Sequence, residues 1–168
     1  MERGVVMIVN FTTETNMGVF IGLNLSEESK ESIKNLQEGI DLPFSVKKED
    51  LHCTLFTSKD DFSYDAEEFG HPIEINEVRI GKIKTQKGVD LALFFDCHEL
   101  KTKNEFIQAK YGVTPYYKDF KLHVTLSYDC GDIDENKIDL DSYITQLKIV
   151  GEYVQPLRFE VDRRSTPR

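Results

Sequence analysis

One short string occurs twice in this chain of 168 residues. Leu51-His52-Cys53-Thr54-Leu55 and Leu122-His123-Val124-Thr125-Leu126 both read apolar, His, apolar, Thr, apolar. Alternation at period two is the pattern of a strand with one apolar face. His52 and Thr54 then share a face, as do His123 and Thr125. Leu51, Cys53 and Leu55, and Leu122, Val124 and Leu126, form the backing. The fold must therefore supply two core-backed strands, each presenting an imidazole and a hydroxyl. The other two histidines lack such surroundings: His71 precedes Pro72 at a loop–strand junction, His98 starts a helix, and both are expected at the surface.

The surrounding pattern places these strands in an α+β fold. Val19–Leu25 reads as a strand, and Ser26 as the N-cap of a helix with Glu27 and Glu28 in its first turn. Ile33, Leu36 and Ile40 fall at helical spacing, and Gly39 can end the helix. Leu51–Ser58 is the first histidine strand. Ile73–Thr85 alternates as a strand with a slip near Asn76, Gln86-Lys87-Gly88 turns, and Val89–Phe95 returns as a hairpin. Cys97–Tyr111 suits a second helix closed by Gly112, and Leu122–Tyr128 is the second histidine strand. A short helix is expected within 134–147. Lys148–Val154 and Leu157–Val161 read as a final strand pair interrupted by Pro156. Each half thus places a helix before a histidine strand, a weak internal duplication, and the hairpins argue for largely antiparallel sheets.

Composition narrows the partners. Twenty-one Lys and Arg against thirty Asp and Glu give a formal net charge of -9. Long nucleic acid needs many phosphates neutralised, so it is not the expected partner; a small phosphorylated ligand in a locally positive pocket is. No apolar run spans a bilayer, and MERGVVMIVNF lacks the cleavage site of a secretory leader, so a cytoplasmic protein is expected. Cys53, Cys97 and Cys130 match no metal or CxxC spacing and read as free thiols. Cys53 points away from the histidine face, so it reads as core rather than as a nucleophile. The chain is expected to form a single domain over 1–162, with 163–168 as a disordered basic tail. Its oligomeric state is not legible.

Two imidazoles and two hydroxyls suit phosphodiester cleavage. One neutral imidazole takes a proton from the attacking hydroxyl, and the other, protonated, gives one to the leaving oxygen. Thr54 and Thr125 can hydrogen-bond the non-bridging phosphate oxygens. Two histidines without a third ligand are too few for a metal, so neither metal nor other cofactor is expected. The strands alone do not distinguish acid from base.

At these residues the chain resembles the 2H phosphoesterases, which are defined by paired His-x-Thr strands. The resemblance implies a bilobal, LigT-like fold: two pseudo-symmetric, mostly antiparallel sheets flanking a central cleft, with helices outside and no metal. Tyr117-Lys118-Asp119-Phe120-Lys121-Leu122-His123-Val124-Thr125-Leu126-Ser127-Tyr128, the stretch Gly18 to Ser32 and the short spacing between motifs look most like the phage anti-CBASS protein 1 family. That likeness covers roughly Gly18 to Gln155. It implies a phosphodiesterase that cleaves 3′,5′ bonds of cyclic di- and trinucleotides, such as 3′,3′-cyclic GMP-AMP, in the host cytoplasm and so blocks bacterial defence signalling. Alternatives are a phosphodiesterase for 2′,5′-oligoadenylate or 2′,3′-cyclic phosphate ends, and a nucleotide-binding sponge.

Carried over residue by residue, His52 and His123 match the catalytic pair, and Thr54 and Thr125 the phosphate-binding hydroxyls. Phe20 falls where the family has a base-stacking aromatic, or else it is core. Glu152 falls where the family has an acidic residue against a base edge, or else it is a solvated carboxylate. The chain has no tryptophan, so either Phe94, Tyr116 or Tyr117 serves where the family uses one, or base selectivity differs; Tyr117 is taken as substrate-binding. Lys121 is placed near the phosphate, or else is a solvated charge.

Overall fold

A computed structural model describes residues 16–158. Among these, seven strands form one sheet in the order β3-β7-β1-β2-β6-β5-β4, and every neighbouring pair is antiparallel. They are β1 (Asn16–Leu25), β2 (Cys53–Ser58), β3 (Glu68–Ile75), β4 (Arg79–Thr85), β5 (Gly88–Phe94), β6 (His123–Ser127) and β7 (Leu147–Arg158). The helices are α1 (Glu27–Gly39) and α2 (His98–Tyr111). The expected duplication is visible as β1-α1-β2 and β5-α2-β6. Among the described residues, β2 and β6, the strands at which the two halves meet in the sheet, pair at one position, Cys53 with Val124. The rest of β2 and β6 diverge, which gives the sheet its two lobes.

Local chemistry explains the helices. The Ser26 hydroxyl accepts from the Ser29 amide at 3.1 Å, and Glu27 and Glu28 oppose the helix dipole. Ile33 and Leu36 are fully buried. In α2, Leu100 and Ile107 are buried, and Gly112 closes the helix at φ 62, a left-handed value that suits glycine.

The diverging edges of β2 and β6 are covered by the other half. The Tyr116 amide donates to the Thr57 carbonyl at 2.7 Å, and the Ser58 hydroxyl to the Thr114 carbonyl at 2.6 Å. In the mirror position, the Val46 amide donates to the Leu126 carbonyl at 2.9 Å and the Ser127 hydroxyl to the Pro43 carbonyl. The segment after each helix thus satisfies backbone groups that the splayed strands would leave exposed.

Several expectations need correction. Ile73–Thr85 is not one strand with a slip. It is β3 and β4, which lie at opposite edges of the sheet; the hairpin is β4 with β5 alone. His71 and Pro72 lie within β3, exposed on an edge strand where proline is tolerated. The segment 134–147 holds two short 3-10 turns at Glu135–Lys137 and Leu140–Ser142 rather than a helix. The final strand pair is one strand, β7, running through Pro156. Pro156 pairs with Val19, beyond the point where β3 accompanies β7, so among the described residues β7 has a neighbour on one side only there. The expected tail at 163–168 lies outside the described residues. Among the described residues, no helix is long and apolar enough to cross a membrane.

Candidate active site

The junction of the halves sets the site. His52 immediately precedes Cys53, and His123 immediately precedes Val124. Continuing the antiparallel register places His52 beside Thr125 and Thr54 beside His123, all on one face. These four residues are half-exposed, while Leu51, Cys53, Leu55, Leu122, Val124 and Leu126 are buried behind them.

Each imidazole is held the same way. His52 Nδ1 lies 2.9 Å from the Asp50 carbonyl, and His123 Nδ1 lies 2.8 Å from the Lys121 carbonyl. A carbonyl only accepts, so Nδ1 carries the proton in both rings. That fixes the tautomer and leaves Nε2 as the atom that takes up or gives a proton. The signal for this was in the sequence only as a spacing: the acceptor is the backbone two residues before each histidine, where the side chain does not matter.

Aromatic rings flank both histidines. Phe20, from β1, meets His52 edge-on with ring centres 5.8 Å apart, so it faces the cleft. Phe94, from β5, lies 5.7 Å from His123 at an interplanar angle of 33°. Both strands sit beside their histidine strand in the sheet.

Two cavities adjoin the pair. On the His123 side, about 680 Å³ is lined by Phe20, Thr54, Phe94, Tyr117 and His123 among others. Among the described residues, Lys82, Lys84, Lys118 and Lys121 border it against only Asp90 and Asp119, so this side is locally positive in an acidic chain. Lys82 is also paired with Glu135 at 3.4 Å. On the His52 side, a cavity of about 480 Å³ is bordered by Asn24, Asp50, Tyr128, Tyr153 and Gln155. Tyr117 and Lys121 are exposed and border the positive cavity; Lys121 also supplies the carbonyl that orients His123.

Glu152 is the site expectation that the structure corrects. Adjacent strand residues point to opposite faces, and Tyr153 faces the cleft, so Glu152 faces away. Its carboxylate is buried, accepting from the Tyr64 hydroxyl at 2.9 Å and the Glu67 amide at 3.0 Å, with Lys103 Nζ at 3.0 Å. It is not solvated, and it faces away from the cleft. Tyr153, one residue on, is the cleft residue that the sequence reading passed over.

Cys53 and Cys130 are buried and Cys97 is half-buried, all three as free thiols. Burial pushes the Cys53 thiol up to about 12, which fits a core residue and not a nucleophile. Among the described residues, no three His, Cys, Asp or Glu side chains are grouped so as to hold a metal ion.

Residues 17–164 match the family model of anti-CBASS protein Acb1. The chain belongs to the Acb1 family. Anti-CBASS protein Acb1 of Salmonella phage S16 is 27% identical over 143 residues, spanning 84% of this chain and 89% of that protein. The Acb1 of Enterobacteria phage T4 is 26% identical over 145 residues, spanning 85% of this chain and 90% of that protein. The fold is also similar to E. coli LigT complexed with ATP, with TM-score 0.58 and 14% identity over 88% of this chain and 91% of that one. A phosphoesterase crystal structure has TM-score 0.55 and 16% identity, covering 88% of this chain and 92% of that one. Both carry the LigT-like phosphoesterase fold, which this Acb1 family member shares.

Proposed function

We propose that this Acb1 family member cleaves the 3′,5′ bonds of cyclic di- and trinucleotide messengers to linear 3′-phosphate products. Family and fold together make it a cyclic-nucleotide phosphodiesterase that blocks CBASS signalling; the linkage, the product and the roles of single residues are our reading. The observation that carries it is the pair of imidazoles held by Nδ1 to backbone carbonyls on adjoining strands, with Thr54 and Thr125 between them.

One Nε2 takes the proton of a ribose 2′-hydroxyl, whose oxygen attacks the adjacent phosphorus. The bond from phosphorus to the 5′-oxygen breaks, and the other imidazolium gives that oxygen its proton. A 2′,3′-cyclic phosphate results. Water then opens it with the histidine roles reversed, leaving a 3′-phosphate. Thr54 and Thr125 donate to the non-bridging oxygens as charge builds there. The lysines of the larger cavity hold the substrate's second phosphate. No step calls for a metal, and the reaction takes place in the cytoplasm of the infected host.

The test is incubation with 3′,3′-cyclic GMP-AMP in EDTA, followed by mass spectrometry, beside His52→Ala and His123→Ala. A linear 3′-phosphate product, lost in both variants, is expected. A ring lacking the 2′-hydroxyl next to the cut should be inert; normal cleavage of it overturns internal attack. Cleavage of 2′,5′-linked or 2′,3′-cyclic nucleotides in place of the ring would change the substrate and keep the chemistry. Stoichiometric binding with release of unchanged ring would mark a sponge.

A further inference from the structure

Tyr153 is a large cleft residue that the two-histidine chemistry leaves unused. It sits on β7 opposite Gly22 of β1, and its ring lies across that glycine. A Cβ at position 22 would collide with Cζ, Cε1 and the hydroxyl of Tyr153. Gly22 is not among the residues with positive φ, so the backbone there does not require glycine; the approach of the ring does. The second ring in this cluster is Phe20, 6.0 Å from Tyr153 at 40° and in edge contact with His52. A continuous aromatic surface thus runs from Tyr153 to the imidazole.

The cavity above it is unlike the one beside His123. Its borders include Asn24 and Gln155, which alternate onto the same face as Tyr153. Its one lysine is Lys30, against Glu49 and Asp50, whereas the His123 side has four lysines. A primary amide carries both donor and acceptor, as the edge of a purine does. An aromatic face for stacking, with amides at its rim and little positive charge, is the chemistry of a nucleobase pocket and not of a phosphate site. Burial pushes the Tyr153 phenol up to about 12, so the platform stays neutral at the pH of a cell.

We infer that Tyr153, laid on Gly22, is the stacking platform for a purine base of the cyclic oligonucleotide, with Asn24 reading that base's edge. This rests on the phosphodiesterase reading, and it assigns the two cavities different parts of the ring: base on the His52 side, phosphate on the His123 side.

The test compares wild type with Tyr153→Phe, Tyr153→Leu and Gly22→Ala. KM and kcat are measured on 3′,3′-cyclic GMP-AMP and on 3′,3′-cyclic di-UMP. Affinity for the 2′-deoxy form of the first ring is measured by calorimetry. Base–aromatic stacking is worth enough that its loss should raise KM by about tenfold or more. That rise is expected for Tyr153→Leu and Gly22→Ala on the purine ring, with kcat little changed and a smaller effect on the pyrimidine ring. Tyr153→Phe keeps the ring and should behave as wild type. Leu and Phe variants that behave alike, or an equal KM rise on both rings, would overturn the platform, because a purely structural tyrosine predicts either. Leu fills the site with apolar bulk, so a folded variant is retained. If wild type turns over neither ring, the phosphodiesterase reading falls, and the platform is judged by affinity alone. Tenfold weaker binding to Tyr153→Leu then keeps it; equal or absent binding ends it.

Discussion

Leu55 and Leu126 occupy equivalent places in the two halves. Each follows the motif threonine, and each is the extra residue of a β-bulge. Ile21 pairs with Phe56 and Gly22 with Thr54, so Leu55 is left over; Leu91 pairs with Ser127 and Ala92 with Thr125, so Leu126 is left over. The carbonyl of each accepts a buried side-chain amide from the helix of the other half. Asn104 of α2 donates to Leu55 at 2.8 Å, and Gln37 of α1 donates to Leu126 at 3.0 Å. Bulges re-aim neighbouring side chains, and here each shifts the register just past the motif threonine before pairing resumes.

The straps make a stability prediction. Asn104→Ala leaves the Leu55 carbonyl buried without its donor, at a cost of about 1–3 kcal/mol. Gln37→Ala should cost less at Leu126, because the Val46 amide also donates there. Asn104→Asp keeps the size but, ionised, cannot donate, and should be at least as destabilising as Ala. Urea unfolding of the three variants checks the order; Asn104→Ala at wild-type stability would show that the strap holds nothing.

The histidines make a kinetic one. In the proposed mechanism each acts only with the other in place, so His52→Ala and His123→Ala should each lower kcat by about 10²–10⁴. The double variant should fall little further, because a pair working as a unit is not additive. Both side chains are half-exposed, so melting temperatures should barely move. Wild-type kcat/KM should be bell-shaped in pH, since one ring must be neutral and the other charged. Fully additive losses would argue against a shared transition state.

The parts of the site that follow from period two were legible in the sequence. The alternation around His52 and His123 places both pairs of polar residues on one face and their apolar neighbours behind them. Helix ends were legible for the same local reason: Ser26 and Gly112 act within one turn. What was not legible depends on pairing at a distance. Nothing in Ile73–Thr85 says that its two ends join opposite edges of the sheet, and nothing near Pro156 says that β7 has lost one neighbour there. Glu152 was misplaced for a related reason. A one-residue choice of face decides between cleft and interior, and the partners that hold it inside, Tyr64 and Lys103, lie far away in sequence.

Glu152 therefore enters a folding prediction and not a binding one. Its carboxylate meets Lys103, Tyr64 and the Glu67 amide away from the cleft. Glu152→Gln keeps the shape and removes the charge that faces Lys103. Lys103 keeps Glu67 at 2.6 Å and is partly solvated, so the cost should fall below the roughly 3–5 kcal/mol of a fully buried broken pair. KM for the cyclic ring should stay at the wild-type value. A large KM rise at unchanged stability would return Glu152 to the substrate.

Cys53 makes the stability pH-dependent on the alkaline side. Its thiol is pushed up to about 12 in the folded chain, chiefly by burial, against about 8.5 for an unfolded cysteine. The native state keeps a proton that the unfolded state has lost, so unfolding free energy falls as pH rises. The contribution is complete below about pH 8.5 and is lost progressively up to about pH 12, with a slope approaching ~1.4 kcal/mol per pH unit for one proton. Cys130, also raised by burial, adds in the same direction. Tyr64 and Tyr153, raised mainly by burial, join only above about pH 10. Between about pH 8.5 and 10 the slope is therefore a cysteine property. Cys53→Ala should flatten it and leave kcat unchanged, because the thiol is packed on the face away from the histidines. Alkylation of the native protein at pH 8 should label Cys97 and spare Cys53 until denaturant is added. Rapid native labelling of Cys53, or loss of turnover in Cys53→Ala, would place that thiol in the chemistry instead.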